Sequence, residues 1–166
     1  DTYAKKSDCL CLTETWLCPD YDVKHDFQNK VDYASSFGDG KGCCVIVPEE
    51  TQLMGRLSNE YFQVVSFLKK QFQVIVVYLS KGANKSLLAE EIRTLIDPTR
   101  PQLVIGDFNF DAKEQNLLVH LFKKLNMVQL VDGPTQVAGR TIDHLYVSDQ
   151  AKECIEINIV FKYYTD

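Results

Sequence analysis

Leu103-Val104-Ile105-Gly106-Asp107-Phe108-Asn109-Phe110-Asp111 joins a short apolar run to a glycine and then to an acidic and an amide residue. The run Leu103 to Ile105 predicts a fully buried strand. A helical pattern is expected to open at Asp111, which would serve as its N-cap. Strand side chains alternate faces, so Asp107 and Asn109 should point one way and Phe108 the other. A carboxylate and a carboxamide then share one polar spot at the end of a buried strand. In α/β folds this is where ligand chemistry is placed.

The surroundings are those of an ordinary globular chain. The 166 residues suit a single domain, 1–166, large enough to bury a real core. A hydrophobic fraction of 45% with 25% charged residues is typical of such a domain. No apolar stretch is long enough to span a bilayer, and no apolar N-terminal signal segment is visible. The net charge of −5 argues against holding nucleic acid by bulk electrostatics alone. It leaves nuclease chemistry open, because carboxylates that bind metal are themselves acidic. Lys69-Lys70 and Lys123-Lys124 could contact phosphates, against the plainer reading of a solvated turn and a helix end. The six cysteines, Cys9, Cys11, Cys18, Cys43, Cys44 and Cys154, form no CxxC pair and no zinc spacing. They read as buried free thiols of a reducing compartment.

Outward from the opening stretch, Asp8 to Thr15 predicts a strand ending in Thr13-Glu14-Thr15, beside the only tryptophan, Trp16. Asp20 to Ser36 reads as a long loop. Gly38 to Gly42 reads as a hairpin turn and not a phosphate loop, leading into a buried strand from Cys43 to Val47. Tyr61 to Leu68 and Phe72 to Leu79 flank Lys69-Lys70-Gln71 as a hairpin, the second strand buried on both faces with Tyr78 near its end. Asn84 caps a helix carrying Leu87, Leu88, Ile92, Leu95 and Ile96, ended by Pro98. Asp111 with Glu114 resembles a capping box before Leu117, Leu118, Leu121, Phe122 and Leu125. His120 interrupts that stripe and reads as structural. After the turn Gly133-Pro134-Thr135, Asp143 opens a strand running to Val147, and Cys154 to Phe161 alternates as a half-buried strand.

Glu14, Tyr78, Asp107 with Asn109, and Asp143 thus fall at strand ends in that order, and Asp166 ends the chain. The set resembles the endonuclease/exonuclease/phosphatase family. Its matching stretches are Leu12-Thr13-Glu14-Thr15-Trp16, Val77-Tyr78, Ile105-Gly106-Asp107-Phe108-Asn109, Thr141 to Ser148, and the ending Tyr163-Tyr164-Thr165-Asp166. Thr-Glu-Thr-Trp-Leu, and Pro134-Thr135 ahead of Ile-Asp-His-Leu-Tyr, look most like nuclease domains of retrotransposons and Helitron-type elements. One stretch departs from the family: Tyr78 is followed by Leu79-Ser80-Lys81 where a proline-containing turn is usual.

The resemblance implies an α/β/β/α sandwich of two packed mixed sheets flanked by helices. It implies phosphodiester hydrolysis with Mg2+, for which Mn2+ could substitute, and DNA as the partner. Glu14 and Asp166 would hold the metal, and Asp107 would orient or deprotonate the attacking water. Asn109 would fix the water or the phosphate, Tyr78 would donate to a phosphate oxygen, and Asp143 would orient a histidine following Asp166. It also implies that the family's opening strand precedes Asp1, so that this stretch would be incomplete at both ends and impaired in catalysis. Other domains of a larger polyprotein and an intracellular, nuclear setting belong to the same expectation, with no role for a membrane. Two further readings share the sequence. One is a phosphatase or phosphodiesterase of phosphoinositides or lipids, and the other a degenerate, non-catalytic relic.

Overall fold

The computed structural model describes residues 9–15, 30–35 and 42–156. In chain order the elements are β1 (Leu10–Thr13), β2 (Lys30–Ser35), β3 (Cys43–Pro48), β4 (Leu53–Ser58), β5 (Phe62–Lys69) and β6 (Phe72–Leu79). Then come α1 (Lys85–Leu95), β7 (Gln102–Asp107), α2 (Leu117–Lys124), β8 (Met127–Gln129), β9 (Asp143–Ser148) and the single turn α3 (Asp149–Lys152). The strands form a three-stranded sheet, β1-β3-β2, and a six-stranded sheet, β4-β5-β6-β7-β9-β8. Among the described strands only β6 and β7 pair in parallel, because α1 carries the chain back between them.

Alternation along the central strands builds two cores. Phe62, Val64, Ile75, Val77 and Val104 face the helices and pack against Leu88, Ile92, Leu118 and Phe122. Val65, Phe67, Val76 and Tyr78 face the small sheet and meet Cys43, Val45 and Val47. Each such fully buried large side chain contributes about 1.5–3 kcal/mol, so these two interfaces hold the layers together. The resulting order is helices, six-stranded sheet, three-stranded sheet: three of the four expected layers lie among the described residues.

Several local expectations change. The loop expected over Asp20 to Ser36 contains β2, which pairs antiparallel with β3 through Val31↔Val47 and Tyr33↔Val45. The Gly38 to Gly42 turn lies outside the described residues except for Gly42, as do Trp16 and Cys18. Asp111 does not cap α2. Asn116 does, its Oδ1 accepting from the Val119 N–H at 3.0 Å. The reason lies in the chain's path: Phe110 is buried, and the Ala112 N–H donates to Thr141 O at 2.9 Å, so the backbone is drawn to the start of β9 before it can turn helical. The Asp111–Glu114 contact survives as a turn, with the Asp111 N–H donating to Glu114 Oε1 at 3.3 Å. Leu117 opens α2 and is 59% exposed, outside the apolar stripe expected to contain it. The cysteines are only partly as expected. None of the described ones is assigned to a disulfide, but of these Cys43 and Cys44 alone are buried, Cys9 and Cys11 are half-buried, and Cys154 is exposed. The strand expected from Cys154 to Phe161 is absent over 154–156, and its remainder lies outside the described residues. Among the described residues no helix is long and apolar enough to cross a membrane.

Candidate active site

The site starts from strand register. In the parallel ladder Tyr78 pairs with Asp107, and in the antiparallel ladder Asp107 pairs with Asp143. Tyr78, Asp107 and Asp143 therefore form one rung across β6, β7 and β9. All three lie on the sheet face that carries Val76, Ile105 and Leu145, the face turned away from α1 and α2. On the other side of the rung Phe108 is fully buried in the helical core. The alternation read from the sequence is thus the alternation observed.

Gly106 is needed immediately before Asp107. Its φ is +151°, and a Cβ there would stand 1.8 Å from Val77 O. The adjacent parallel strand passes too close for any side chain.

Past the strand end, Asn109 takes the left-handed conformation, φ +51°. This curls its backbone over the carboxylate. The Asn109 N–H donates to Asp107 Oδ1 at 2.8 Å, while Nδ2 donates to Leu79 O at 2.9 Å and to Asp107 Oδ2 at 3.3 Å. Both amide hydrogens are engaged, which leaves Asn109 Oδ1 as the group free to accept. Burial pushes the Asp107 carboxyl up to about 6; the Asn109 N–H opposes this, and the carboxylates of Asp143 and Glu14 add to it. Tyr78 is raised as well, by burial and then by Glu14 and Asp107.

Glu14 follows β1 in the small sheet and is exposed, yet its charge reaches both Asp107 and Tyr78 across the gap between sheets. It too has positive φ, +51°. A non-glycine residue held there costs on the order of 1 kcal/mol. Two of the residues expected at the site are therefore held in a conformation that the backbone does not prefer. Beside them a cleft of about 280 Å³ opens between the sheets, lined by Cys11, Thr13, Val76, Ile105, Asp143 and Leu145.

Asp143 lies at the rim and is exposed. Its own N–H and that of Ile142 both donate to Thr135 Oγ1 at 3.0 Å. Thr141 Oγ1 donates to Gly133 O at 2.6 Å and closes the same loop. The sequence placed Thr135 in a turn and, with Pro134, in the wording shared with mobile-element nucleases, but gave its side chain no role; the available signal is its hydroxyl eight residues before Asp143. The adjacent His144 belongs to the core. Its ring stacks on Phe108 at 4.7 Å, Nε2–H donates to the carbonyls of Phe110 (3.1 Å) and Thr141 (3.0 Å), and Nδ1 accepts from the Tyr146 hydroxyl at 3.2 Å. Burial holds it below the ordinary imidazole range, so it packs as a neutral ring.

Asp166 lies outside the described residues. Among the described residues no three acidic, histidine or cysteine side chains converge closely enough to enclose an ion by themselves. The donors that gather are all oxygens, and no lysine or arginine among the described residues pairs with Glu14, Asp107 or Asp143. This fits a hard divalent cation that keeps several waters and leans on one or two carboxylates. It does not fit a closed nitrogen–sulfur site.

No protein-family profile and no curated protein matches the sequence. Solved structures do. The endonuclease domain of TRAS1, a telomere-specific non-LTR retrotransposon, superposes with TM-score 0.62 at 14% identity, over 89% of this chain and 75% of that one. An AP endonuclease from Archaeoglobus fulgidus gives 0.65 at 16%, over 90% and 79%. A variant of the 3′ phosphatase NExo from Neisseria, bound to a product DNA hairpin, gives 0.60 at 15%, over 88% and 78%. At these identities the likeness is one of architecture. The chain has the fold of the endonuclease/exonuclease/phosphatase family.

Proposed function

We propose that this chain is the catalytic core of a divalent-metal-dependent phosphodiesterase that cleaves or nicks DNA, of the kind carried by mobile elements. The observation that carries this reading is the Tyr78–Asp107–Asp143 rung, with Asn109 bonded to both oxygens of Asp107. The setting would be intracellular and nuclear.

In this reading Glu14 and Asp166 would hold Mg2+, or Mn2+ in its place, which would supply positive charge against the negative charge that grows on the scissile phosphate. Ionised Asp107 takes a proton from the attacking water. Its two oxygens are fixed by Asn109, so the lone pair that accepts the proton has one direction. Asn109 Oδ1, the group left free, accepts from the same water and aligns it. As the water oxygen bonds to phosphorus, the phosphate's bond to the leaving sugar oxygen breaks. Tyr78, kept protonated by burial and its acidic neighbours, donates to a non-bridging phosphate oxygen. Asp143, at the exposed end of the rung, orients a further donor to the phosphate.

The test is plasmid nicking by the purified chain. Relaxation of supercoiled DNA is expected with Mg2+ and none with a chelator, and Asp107→Ala should lower the rate by about 10²–10³-fold with an unchanged circular dichroism spectrum. Full nicking in chelator, or by Asp107→Ala, overturns the reading. Release of phosphate from a 3′-phosphorylated oligonucleotide without backbone cutting would replace it with a phosphatase.

A further inference from the structure

The rung that holds Tyr78, Asp107 and Asp143 extends beyond them. On the other side of Tyr78, β5 places Gln63 directly opposite it, and β4 places Ser58 opposite Gln63. Gln63 shares the face of Val65 and Phe67 and is fully buried. A buried amide among valines and phenylalanines is a poor choice for packing. It is half-satisfied as well. Nε2 donates to Asn59 O at 2.6 Å, while Oε1 has no donor. Gln63 Oε1 and Asn116 Nδ2 are the only buried side-chain atoms so placed among the described residues. Any isosteric apolar residue would avoid that cost. What the amide gains in return is its one bond, from Nε2 to Asn59 O.

What it holds leads to the site. The Asn59 carbonyl is gripped by Gln63, and Asn59 Oδ1 accepts from the N–H groups of Tyr61 (2.8 Å) and Phe62 (2.9 Å), which closes a tight turn. That turn clamps the chain just after Tyr78. The Ser80 N–H donates to Tyr61 O at 2.8 Å, and Ser80 Oγ donates to Glu60 O at 3.3 Å. Fixing Ser80 fixes the preceding carbonyl, Leu79 O, which is the acceptor that holds the Asn109 side chain. Asn109 in turn holds both oxygens of Asp107.

We propose that Gln63 is a positioning residue: through the 59–61 turn, Ser80 and Leu79 O it sets the side chain of Asn109, and through Asn109 the direction of the Asp107 carboxylate. This rests on the reading of Asp107 as the water-directing group. Leu79-Ser80-Lys81 has no proline to stiffen it, so stiffness comes from hydrogen bonds anchored at Gln63. The path is specific in its geometry. It needs a donor at the end of a side chain of glutamine length, because the contact is to a backbone carbonyl four residues earlier.

The discriminating variant is Gln63→Met, which keeps volume and flexibility and removes both polar atoms. It is compared with the wild type and with Asn59→Ala, which opens the same turn by another route. Three quantities are measured: the thermal midpoint, the amide-NMR position and exchange of the Asn109 side-chain NH2, and the Mg2+-dependent nicking kinetics. Positioning predicts that Gln63→Met has an equal or higher midpoint. The Asn109 NH2 signals should move and exchange about tenfold faster as the local bond opens. The turnover rate should fall about tenfold at unchanged KM, because the water-directing group has lost alignment. Asn59→Ala should move the same Asn109 signals. A merely structural glutamine would lower the midpoint and leave the Asn109 signals and the turnover rate alone; that result overturns the proposal. If the wild type does not nick DNA and the Asn109 signals still move, the path stands and the proposed function fails. If the wild type nicks and the signals stay still, the function stands and this inference fails.

Discussion

Asp107 and Asp143 face each other across the β7–β9 ladder, one buried and one exposed, on the same face of the sheet. Like charges directly opposite in an antiparallel pair are destabilising, by about 0.2–1 kcal/mol at ordinary sites. Glu14 adds a third carboxylate within electrostatic reach. No cation among the described residues relieves them. Two further carboxylates, those of Asp143 and Glu14, thus disfavour the charged form of the buried one. The same arrangement sets three measurable consequences.

The first is a pH-dependent stability penalty from Asp107. Its carboxyl stands at about 6 in the fold against an ordinary 3.8. A raised acid binds more protons folded than unfolded between those values, so stability falls as pH rises from about 4 to about 6 and then stays low. Asp107→Asn should therefore unfold at higher temperature than the wild type at pH 7 in chelator. A shift of that size corresponds to roughly 2–3 kcal/mol. The advantage should vanish near pH 4. Thermal melts of both proteins at the two pH values decide it, and an equal advantage at both would mean that ionisation is not its source.

A second consequence concerns the backbone before the carboxylate. Gly106→Ala would drive a methyl into Val77 O, a contact of 1.8 Å that backbone must yield to relieve. The expected loss is on the order of 4 kcal/mol, expressed as failure to accumulate soluble protein or as a collapsed urea midpoint. Gly82→Ala is the matched control. It has positive φ, +78°, but open space, so about 1–2 kcal/mol is expected. Equal losses at the two sites would show that conformation, and not the close approach of β6, governs Gly106.

Thr135 gives the third. Thr135→Val keeps the shape and removes the acceptor of the Ile142 and Asp143 N–H groups. The expected cost is about 1–2 kcal/mol, with a lower nicking rate, because Asp143 loses its anchor at the start of β9. Thr135→Ser should recover both, since it restores the hydroxyl. Urea unfolding and plasmid nicking on the same preparations check this. A serine variant as weak as the valine one would place the effect in the methyl group and not in the hydrogen bonds.

The sequence by itself determined what local periodicity can carry. Leu103 to Ile105 is strand, although only Val104 is fully buried and Leu103 and Ile105 are half-buried because the face toward the small sheet is partly open; Phe108 opposes Asp107, Phe72 to Leu79 forms the inner strand of a hairpin, and Asn84 caps the first helix. Each follows from alternation or from a side-chain cap within a few residues. The strands it did not yield, β2, β4 and β8, all stand at sheet edges among the described residues. Edge strands pair on one side only, so they carry more polar residues and a weaker apolar pattern. In β4, Gly55 and Arg56 interrupt it. Tertiary structure alone decided the start of α2, since Asp111 matches a cap locally and loses to Asn116 only because Phe110 and Ala112 are tied to the core and to Thr141. It alone decided that Gln63, Tyr78, Asp107 and Asp143 stand on one rung, and that burial with two acidic neighbours raises Asp107. Register and desolvation depend on residues far apart in the chain, and no local pattern encodes either one.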